Sequence, residues 1–585
     1  MMVQRIDNKL MGKMNTLKNS KARVKFNMVP LGMRCTISAA RLLLMFVLGM
    51  LSFQMTYSQR PDSSKIKAVD ITSNFKPVLR EAAKINFNAT PPSADTVKPK
   101  LQYEVPDPNL LFAYQPGTLK PLALQVDSTA KFDNSSYIKV GFGSLKTPFL
   151  QAGISFGDGN TAGANIYARH VSSQGKRDYQ DFTSTYFKLS GFYKTAKNIE
   201  WNASLGMGQD KTYKYGFLPE SLSFNNDSLR QRFQTISARA GLRNIYKTEY
   251  GLSYSPELKI DIFNDHLKNN ESNTVLNAPL RKTLGKEFAV DLGVTFDLTR
   301  LSPNSKSAIN NTIWYISPSV LYKKNNVRLQ GGIRPSWDNS EFKMFPNILA
   351  EVGTDDNRFT FHAGWTGYIR KTTFQYLASE NPWLWAPTSL SNTWIEERYV
   401  GFKGSIGDHF TYSGKVASNT LTNQPLFIND TSLAGDGKSF QVVYANLKVL
   451  NLGGEIAYNV EEKLSVITSL NFNQFTGLEG QKKAWGMLPL EFNTAVRYQV
   501  IKDLWLKGDL FAWDGPRYLR KDGNDGKLKG AFDLNAGLEF KVKKNISVWT
   551  QFNNIFNQEY QRWNQYPVYG FNFVGGVIFS FDQKN

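Results

Sequence analysis

The sequence predicts an all-β fold, a transmembrane antiparallel β-barrel of about 22 strands with a range of 18–22. Segments of roughly ten residues, in which apolar residues alternate with polar or small ones, follow one another from residue 137 to residue 582. Charged residues stand in the middle of many polar faces, and aromatic residues gather near segment ends, as in 504–515 and 311–319. The mean hydropathy of −0.37 excludes a bundle of membrane helices.

Alternation with period two gives each segment one apolar and one polar face. In AFDLNAGLEFKV (531–542), Phe532 begins the apolar set and Asp533 begins the polar set; VRLQGGIR (327–334) and TISARAGLR (235–243) follow the same pattern. A soluble β-sandwich would alternate as well. The barrel is favoured because about 450 residues contain no segment of helical period, and because a water-filled lumen accommodates charges in mid-strand.

Short polar turns set the strand count. Ten of them are recognisable, at 157–160, 195–198, 246–249, 284–287, 323–326, 354–357, 407–409, 461–463, 502–503 and 543–545. Outer-membrane barrels have short turns on the periplasmic side and longer loops outside, and both chain ends are expected in the periplasm. Ten inner turns and one open seam give 2 × (10 + 1) = 22 strands. Each missed hairpin would change this strand count by two. A barrel of 22 strands is wide, and its lumen is usually plugged.

Residues 1–58 are predicted to form a signal peptide with a basic lead. Its apolar core is LLLMFVLGMLSFQMTY (42–57), and cleavage is expected near Ser58/Gln59. The alternative is an N-terminal membrane anchor, for which the apolar core is short. Cys35, the single cysteine, precedes this core, so the mature chain would hold no disulfide, thiolate metal site or cysteine nucleophile.

Residues 59–135 differ from the rest because their proline-rich stretches break both helices and central strands. They are predicted to form an extended periplasmic or luminal segment, and residues 136–585 the outer-membrane barrel.

The formal net charge of the chain is +21. Residues 1–58 hold nine Lys or Arg and one Asp, a net charge of +8, which leaves a net charge of +13 on residues 59–585. These charges are spread among acidic residues, so outer-membrane lipid is the expected partner and nucleic acid is not.

The sequence holds no constellation typical of catalysis or metal binding, so neither an enzyme nor a cofactor is predicted. Metal-ligand spacing is absent among the four histidines, His170, His266, His362 and His409. GDGKS (435–439) ends like a phosphate loop but has Ser432 where the first glycine is required. DGNDG (522–526) has Gly526 where a calcium loop requires a ligand oxygen.

Four arginines on the predicted inner faces are candidate lumen residues: Arg239, Arg243, Arg328 and Arg334. A basic lumen would favour anions. The alternative is that these arginines pair with luminal carboxylates such as Asp533 and Glu539, because charges in such positions usually pair.

Residues 546–581 resemble the C-terminal end of TonB-dependent receptors. The family pattern is an Asn-Leu-Phe-Asn-like turn, a following Tyr, a Tyr-Pro pair, a Gly and an aromatic last strand; its members here are Asn554, Phe556, Asn557, Tyr560, Tyr566, Pro567, Gly570 and Phe581. Asn554 and Asn557 are expected to turn the chain, because Asn favours turns. Pro567 is expected to stop strand pairing, and Gly570 to re-enter the last strand.

The last strand is expected to turn an aromatic face to lipid, formed by Phe571, Phe573, Val577, Phe579 and Phe581, and to engage the barrel-assembly machinery. The chain resembles receptor-like barrels, frequent in Bacteroidetes-type genomes, that lack a full plug domain. A full receptor has a large plug before the barrel, whereas only residues 59–135 are available here. AVDITSNF (68–75) is the candidate TonB box.

The resemblance implies an outer-membrane transport protein that binds a solute and takes it up, with a TonB-type energiser or a periplasmic or surface lipoprotein as partner. The alternative is a non-transporting barrel subunit or scaffold of an outer-membrane complex, with residues 59–135 as its docking arm. If residues 59–135 fill the lumen, gated transport is favoured; if they hang free, a scaffold or an open pore is favoured. Barrel walls are chemically generic, so the sequence names no substrate.

Overall fold

The computed structural model describes residues 135–217, 223–304, 306–356, 358–430, 437–461 and 463–582. The predicted signal peptide, the candidate TonB box and the proline-rich segment up to residue 134 lie outside these ranges. Within them, no helix has the length and apolar character needed to cross a bilayer.

Strands make up most of the described chain. In chain order they are β1 (Ser135–Gly143), β2 (Thr147–Gly157), β3 (Ala162–Ser173), β4 (Phe182–Lys194), β5 (Ile199–Tyr213), β6 (Arg230–Asn244), β7 (Leu252–Tyr254), β8 (Glu257–Asp265), β9 (Asn270–Leu284), β10 (Phe288–Ser302), β11 (Ile309–Lys324), β12 (Val327–Asp338), β13 (Glu341–Gly353), β14 (Phe359–Arg370), β15 (Thr393–Ile406), β16 (Phe410–Asn429), β17 (Phe440–Val460), β18 (Leu464–Glu479), β19 (Leu490–Ile501), β20 (Leu504–Trp513), β21 (Arg517–Leu519), β22 (Asp525–Lys527), β23 (Ala531–Lys543), β24 (Ile546–Asn553), β25 (Gln561–Trp563), β26 (Tyr566–Pro567) and β27 (Asn572–Asp582). The helices are α1 (Asn226–Leu229) and α2 (Phe374–Glu380), and a 3₁₀ turn spans Ser144–Lys146. The pairs β21–β22 and β25–β26 are small ladders within loops.

The other strands form one sheet that closes on itself. β1 pairs antiparallel with β27, from Ser135 opposite Asp582 to Gly143 opposite Val574. Because β7 and β8 both pair with β9, they count as one interrupted strand, and the 23 paired strands make a barrel of 22. Closure leaves no sheet edge, as a wall inside lipid requires. The predicted fold class and strand number are confirmed.

The two ends of the barrel differ in their connections. The ten predicted short turns are confirmed, and all of them lie at one end. The opposite end carries longer connections, including residues 371–392 between β14 and β15. The first end is therefore the periplasmic end and the second is the outer end.

Turn chemistry explains the short connections. Asp158 Oδ1 accepts hydrogen bonds from the backbone N–H groups of Asn160, Thr161 and Ala162 at 3.0, 2.8 and 2.9 Å. The N–H groups of Ala162 and Thr161 stabilise the carboxylate and lower the pKa of Asp158 to about 2. Asn325, between β11 and β12, has a φ of 50°, a left-handed conformation that Asn tolerates.

The predicted alternation of faces is present in the wall. Phe532 and Phe540 on β23 are 47% and 45% exposed on the lipid side, whereas Asp533 and Asn535 are 1% and 6% exposed. The aromatic stripe of the last strand also faces lipid, with Phe571, Phe573, Phe579 and Phe581 exposed. The alternating pattern thus marks which residues meet lipid and which face inward.

Aromatic rings fill the inner face at the closing seam. Trp549, Gly576, Gly141 and Phe149 stand opposite one another across β24, β27, β1 and β2. The Trp549 and Phe149 ring centres are 5.2 Å apart, and Trp549 Nε1 donates to the carbonyl oxygen of Val140 at 3.2 Å. A Cβ on Gly141 would lie 2.6 Å from the Trp549 ring, so the indole requires glycine beneath it.

Candidate functional site

The candidate arginines Arg239 and Arg243 lie on the inner face of β6 and are engaged in ion pairs. Arg243 holds Glu200 with two hydrogen bonds, Nε to Oε1 at 2.9 Å and Nη2 to Oε2 at 2.7 Å. Arg239 Nε lies 3.4 Å from Glu257 Oε1. Two-point pairing fixes the orientation of a guanidinium.

Arg328 and Arg334 lie on the inner face of β12. Arg328 Nη1 is 3.5 Å from Glu351 Oε2, and Lys403 Nζ donates to the other oxygen of the same carboxylate at 2.9 Å. Arg334 Nη1 donates to the carbonyl oxygen of Gly367 at 3.0 Å, and its guanidinium lies 5.3 Å from the centre of the Tyr315 ring. The four arginines therefore do not form a cluster; each contacts its own neighbours.

The carboxylates suggested as partners from the sequence have other contacts. Glu539 pairs with Lys507 at 2.9 Å. Asp533 Oδ1 accepts the N–H of Leu534 at 2.7 Å. Strand register explains the difference, because Glu539 stands opposite Trp505, two residues from Lys507 on β20.

Ion pairs are concentrated toward the periplasmic end of the lumen, here called the charged inner half. Its pairs are Arg243–Glu200, Arg281–Asp291, Arg328–Glu351, Lys403–Glu351 and Lys507–Glu539. Most of these side chains are between one fifth and two fifths exposed, as expected for a wetted wall. Positively and negatively charged side chains alternate along the wall, so the charged inner half is not a purely basic filter for anions.

Folded loops fill the outer end of the lumen. We name as the outer cap residues 371–392 together with Tyr215, Trp563 and Tyr566. Its hydrophobic core is formed by Tyr215, Phe233, Phe263, Leu301, Phe374, Leu377, Ala378, Trp383, Leu384, Leu390, Phe427, Phe440, Trp563 and Tyr566. Since β6 is the sixth barrel strand and β17 the sixteenth of 22, this core joins nearly opposite sides of the barrel.

Aromatic contacts make the outer cap dense. The Phe374 ring lies edge-on to Phe263 at 5.2 Å and to Phe233 at 6.2 Å. Trp383 stacks on Tyr566 at 3.7 Å. Phe374 is 0% exposed, and such pairs add to the stabilisation that burial provides.

Helix α2 of the outer cap is capped by side chains. Thr373 Oγ1 accepts the N–H of Tyr376 at 3.0 Å. Glu271 on β9 accepts the N–H groups of Phe374 and Gln375 at 2.5 and 2.9 Å. The carboxylate thus satisfies free backbone donors at the positive end of the helix and ties α2 to the wall.

A buried amide network clamps both ends of the segment 371–392. Asn392 Oδ1 accepts the N–H of Thr372 at 2.9 Å. Asn392 Nδ2 donates to Asn311 Oδ1 and to Asp338 Oδ1, both at 2.6 Å, and Asn311 Nδ2 donates to the Thr372 carbonyl oxygen at 2.9 Å. These groups are nearly inaccessible to water, so each lost bond would leave a buried polar atom unpaired.

The predicted C-terminal motif forms a turn at the outer end of β24. Asn554 and Asn557 have φ of 48° and 51°. Asn554 Nδ2 donates to the carbonyl oxygens of Gln558 and Tyr569 at 2.8 and 2.7 Å, and so links the outgoing and returning chain. A Cβ on Gly570 would lie 2.7 Å from Asn557 Oδ1 and would displace this oxygen, which accepts the N–H of Phe571 at 2.9 Å.

Other residues of the motif belong to the outer cap or the lipid face. Tyr566 donates to the Lys438 carbonyl oxygen at 3.0 Å. Pro567 is the last residue of β26, where it pairs with Gln561, and pairing in the barrel wall resumes at β27. That Pro567 itself stops the pairing stays a prediction. Tyr560 packs edge-on against Trp513 at 5.0 Å. The remaining two aromatic members, Phe556 and Phe581, are exposed.

Lys438, in the stretch that ends like a phosphate loop, ties the outer loops together. Its Nζ donates to the carbonyl oxygens of Tyr215 and Gly216 at 2.9 and 2.6 Å. The ammonium also lies 5.4 Å from the centre of the Tyr566 ring. Lys438 therefore contributes to the outer cap.

A cavity of about 360 Å³ lies where the outer cap meets the wall of β8–β11. Its polar lining includes Glu257, Lys259, Asp297 and Lys371, and its apolar lining includes Ile313 and Tyr315. Lys371 Nζ is 3.2 Å from Asp297 Oδ1. Burial lowers the pKa of Lys371, and Asp297 opposes this shift. The cavity offers charges of both signs and an aromatic surface to a solute in the lumen.

Across the described ranges, no group of three or more His, Cys, Asp or Glu residues could hold a metal ion. His362 is buried on β14 opposite Glu351, and His409 lies in the turn between β15 and β16 rather than in a strand. The histidines are thus dispersed over the barrel.

The outer cap is the feature that sequence reasoning missed. Its core unites residues as far apart as Phe233, Phe374 and Trp563, and no periodic pattern connects them. One local signal existed: NPWLWAP (381–387) places two tryptophans in a loop. Tryptophans in a connection between strands indicate that the loop packs against something.

The sequence matches no protein-family model and no curated protein sequence. The fold is similar to solved outer-membrane receptors. The pyoverdine receptor FpvA of Pseudomonas aeruginosa PAO1 is 10% identical with a TM-score of 0.59, over 77% of this chain and 79% of that chain. The FrpB iron transporter of Neisseria meningitidis is 12% identical with a TM-score of 0.58, over 77% and 82%. The ferric enterobactin receptor PfeA of P. aeruginosa (a double mutant) is 11% identical with a TM-score of 0.56, over 76% and 80%. The chain has the barrel fold of TonB-dependent outer-membrane receptors.

Proposed function

We propose that this protein takes up a solute across the bacterial outer membrane and that the outer cap gates the entrance. The observation that carries the proposal is the combination of a receptor-type barrel with an apolar core across its outer mouth. An open pore would not need fourteen buried side chains across its entrance. A gate of this kind would exclude small solutes while the cap is folded.

The lumen offers a route with two chemically different stages. A solute that passes the outer cap meets the cavity lined by Glu257, Asp297 and Lys371, and then the charged inner half. Charges of both signs bind a polar solute weakly at many points, which permits both entry and release. The likeness to receptors and transporters favours transport over the scaffold alternative.

The proposal includes partners and targeting. A signal peptide cleaved near Ser58/Gln59 would bring the chain to the periplasm, and the barrel-assembly machinery would engage the aromatic last strand. A TonB-type energiser would contact the candidate TonB box, residues 68–75. A periplasmic or surface lipoprotein is a further candidate partner.

Single-channel recording in planar bilayers tests the gate. The mature chain is expected to pass little current, because the outer cap closes the mouth. A chain in which a short Gly-Ser linker replaces residues 373–391 and residues 59–134 are deleted is expected to conduct steadily. Two further chains, one with only the linker replacement and one with only the deletion, show which of the two segments restricts the current. A large, steady current from the unaltered mature chain would overturn the gated-uptake proposal.

A further inference from the structure

The buried carboxyl group of Glu271 lies at the contact between the outer cap and the wall. Glu271 is the second residue of β9, opposite Phe263 on β8 and Leu301 on β10, and it is 2% exposed. Its two oxygens accept the N–H groups of Phe374 and Gln375 at the start of α2. Opening of the cap would therefore remove both donors and expose the carboxyl group to water.

The charges around Glu271 are engaged with other partners. Within the described ranges, Glu271 forms no ion pair. Lys371 in the cap is held by Asp297 Oδ1 at 3.2 Å, and Lys259 is held by Asp261 at 2.8 Å. Asp261 on β8 is itself 3% exposed and adds a negative charge near Glu271. A buried carboxylate that no cation pairs directly is costly, because the protein interior solvates a charge poorly.

Glu271 lies beyond the part of β9 that crosses the hydrocarbon core. It stands thirteen residues from Leu284 at the periplasmic end of the strand, and about 9–11 residues of a strand cross the core. Burial raises the pKa of Glu271 to about 7; the N–H groups of α2 and the charge of Lys371 oppose this shift, and the charge of Asp261 adds to it. In the open cap, hydration would return the pKa to its ordinary value of about 4.3.

The other end of α2 carries a second carboxyl group whose charge is unfavourable. Glu380 is the last residue of the helix, where the negative end of the helix dipole repels a carboxylate. Burial raises the pKa of Glu380, and the charges of Arg562 and Arg370 oppose this shift. Glu491, the second residue of β19, is within electrostatic range of both Glu380 and Arg562. The closed cap thus holds a carboxyl group at each end of α2 whose charge costs free energy.

Protonation reduces this cost without removing the contacts of the closed cap. A protonated carboxyl group keeps acceptor capacity, so both forms of Glu271 can hold the N–H groups of α2. Because the pKa of Glu271 is higher in the closed cap than in the open cap, closure takes up protons. The contribution of Glu271 to cap stability is therefore fully present below about pH 4.3 and is lost as the pH rises through about 7.

We propose that closure of the outer cap is coupled to proton uptake at Glu271 and Glu380, so that the cap opens more often at neutral than at acidic pH. The protein would thereby restrict entry in an acidic medium and admit solutes near neutral pH. This consequence for uptake rests on the gated-uptake proposal, whereas the coupling itself concerns only the opening of residues 371–392.

Hydrogen exchange by mass spectrometry of the detergent-solubilised mature chain, from about pH 5 to about pH 8, tests the coupling. The opening equilibrium of residues 371–392, corrected for intrinsic exchange rates, is expected to rise about tenfold or more, because a carboxyl group with a pKa of about 7 ionises over this range. Glu271→Gln keeps an accepting oxygen but does not titrate, so it is expected to remove most of this rise. Glu380→Gln is expected to remove a smaller part.

Glu341→Gln is the matched control, because Glu341 is exposed at the outer end of β13. This variant is expected to keep the full pH dependence. The change of protection with pH is compared, rather than its level, so a variant with a weakened cap still tests the coupling. Heat-modifiability on gels verifies that all variants form the barrel.

Two results would overturn the coupling. One is protection of residues 371–392 in the unaltered chain that stays constant or increases as the pH rises. The other is a pH dependence in Glu271→Gln equal to that of the unaltered chain. Single-channel current over the same pH range separates the two proposals: opening that increases without an increase in current would overturn gated uptake and leave the coupling standing.

Discussion

The outer cap and the charged inner half line the same lumen but hold together by different physics. In the outer cap, Phe374 and Leu377 are fully buried, and burial of such a side chain is worth about 1.5–3 kcal/mol. In the charged inner half, pairs such as Arg281–Asp291 remain accessible to water and are worth about 0–1 kcal/mol each. The outer mouth is thus a folded core, whereas the inner half is a wetted surface whose shape is fixed by the sheet behind it.

This difference indicates which region can move. The strand ladder of the wall is closed, so its hydrogen bonds must break together. The outer cap is joined to the wall by side chains, through Glu271, Asn311 and the aromatic contacts of Phe374. Its backbone meets the wall at a short bridge, where the N–H of Trp385 donates to the carbonyl oxygen of Phe440 and the N–H of Phe440 donates to that of Trp383, both at 2.9 Å. Local opening draws on the least stable cooperative units of a protein. The cap is therefore the unit that can open while the barrel stays intact.

Phe374→Ala is expected to have the largest effect. The phenyl group is fully buried between Phe233 and Phe263, and its removal should cost about 3–5 kcal/mol of cap stability. Hydrogen exchange by mass spectrometry should show loss of protection over residues 371–392, while heat-modifiability of the barrel is unchanged.

Phe342→Ala is the matched control, because Phe342 is 52% exposed on the lipid face of β13 near the outer end. Its effect on cap protection should be negligible. If Phe374→Ala leaves the protection of 371–392 as it is, or if the whole barrel unfolds with the cap, the two regions are not separate units.

Asn392→Ala tests the polar clamp of the outer cap. The substitution leaves the N–H of Thr372, Oδ1 of Asn311 and Oδ1 of Asp338 without this partner, at about 1–3 kcal/mol for a buried group. We expect a loss of about 2–3 kcal/mol, smaller than that of Phe374→Ala, and faster protease cleavage within 371–392.

The control for the clamp is Ser379→Ala in the same segment. Ser379 is exposed, and its Oγ donates to the Tyr376 carbonyl oxygen, so the effect should stay within about 0.5 kcal/mol. Equal cleavage rates for Asn392→Ala and Ser379→Ala would mean that packing alone holds the cap.

The contrast between the regions also shows what sequence could predict. The wall was predictable because alternation and turn residues are local signals: Phe532 faces lipid, and Asn325 turns a hairpin, as residue type alone indicates. The Asn554 and Asn557 turn was predictable for the same reason. The identity of the partners of Arg243 and Glu539 depends on register, which sequence did not give.

The outer cap could not be predicted from sequence because the residues that form its core lie far apart along the chain. Glu271 reaches a helix more than one hundred residues later, and Tyr566 stacks on Trp383 across the mouth. Neither loop has a repeating pattern that would align these residues. Proline lacks an N–H, which predicts that Pro567 ends strand pairing, but residue type alone does not predict that its carbonyl oxygen accepts the hydroxyl of Tyr215 at 2.8 Å and so helps to hold the mouth.

Arg243→Ala tests the charged inner half. It leaves Glu200 unpaired, with a side chain only 10% exposed, while Arg243 itself is 40% exposed, so solvent screening limits the loss to about 1–2 kcal/mol. A double-mutant cycle with Glu200→Gln, measured by denaturant unfolding, should give a coupling of about 1 kcal/mol. A loss as large as that of Phe374→Ala would erase the distinction between the regions.

Asp158→Asn is expected to have the smallest effect, at the periplasmic rim of the wall. The folded pKa of Asp158, about 2, lies below the ordinary value near 3.9, so the stability that the carboxylate gives the turn is present above about pH 4 and is lost as the pH falls toward 2. Asn keeps an accepting oxygen but does not titrate, so the variant should lose this pH dependence. This pH dependence is measured by amide hydrogen exchange over Asn160–Ala162, corrected for intrinsic exchange rates. The internal control is the turn at 195–198, where the uncharged Thr195 Oγ1 accepts the N–H of Ile199 at 3.3 Å. If protection of the Asp158 turn falls no more steeply with acid than that of the Thr195 turn, its charge does not stabilise the rim, and backbone pairing alone shapes the periplasmic end.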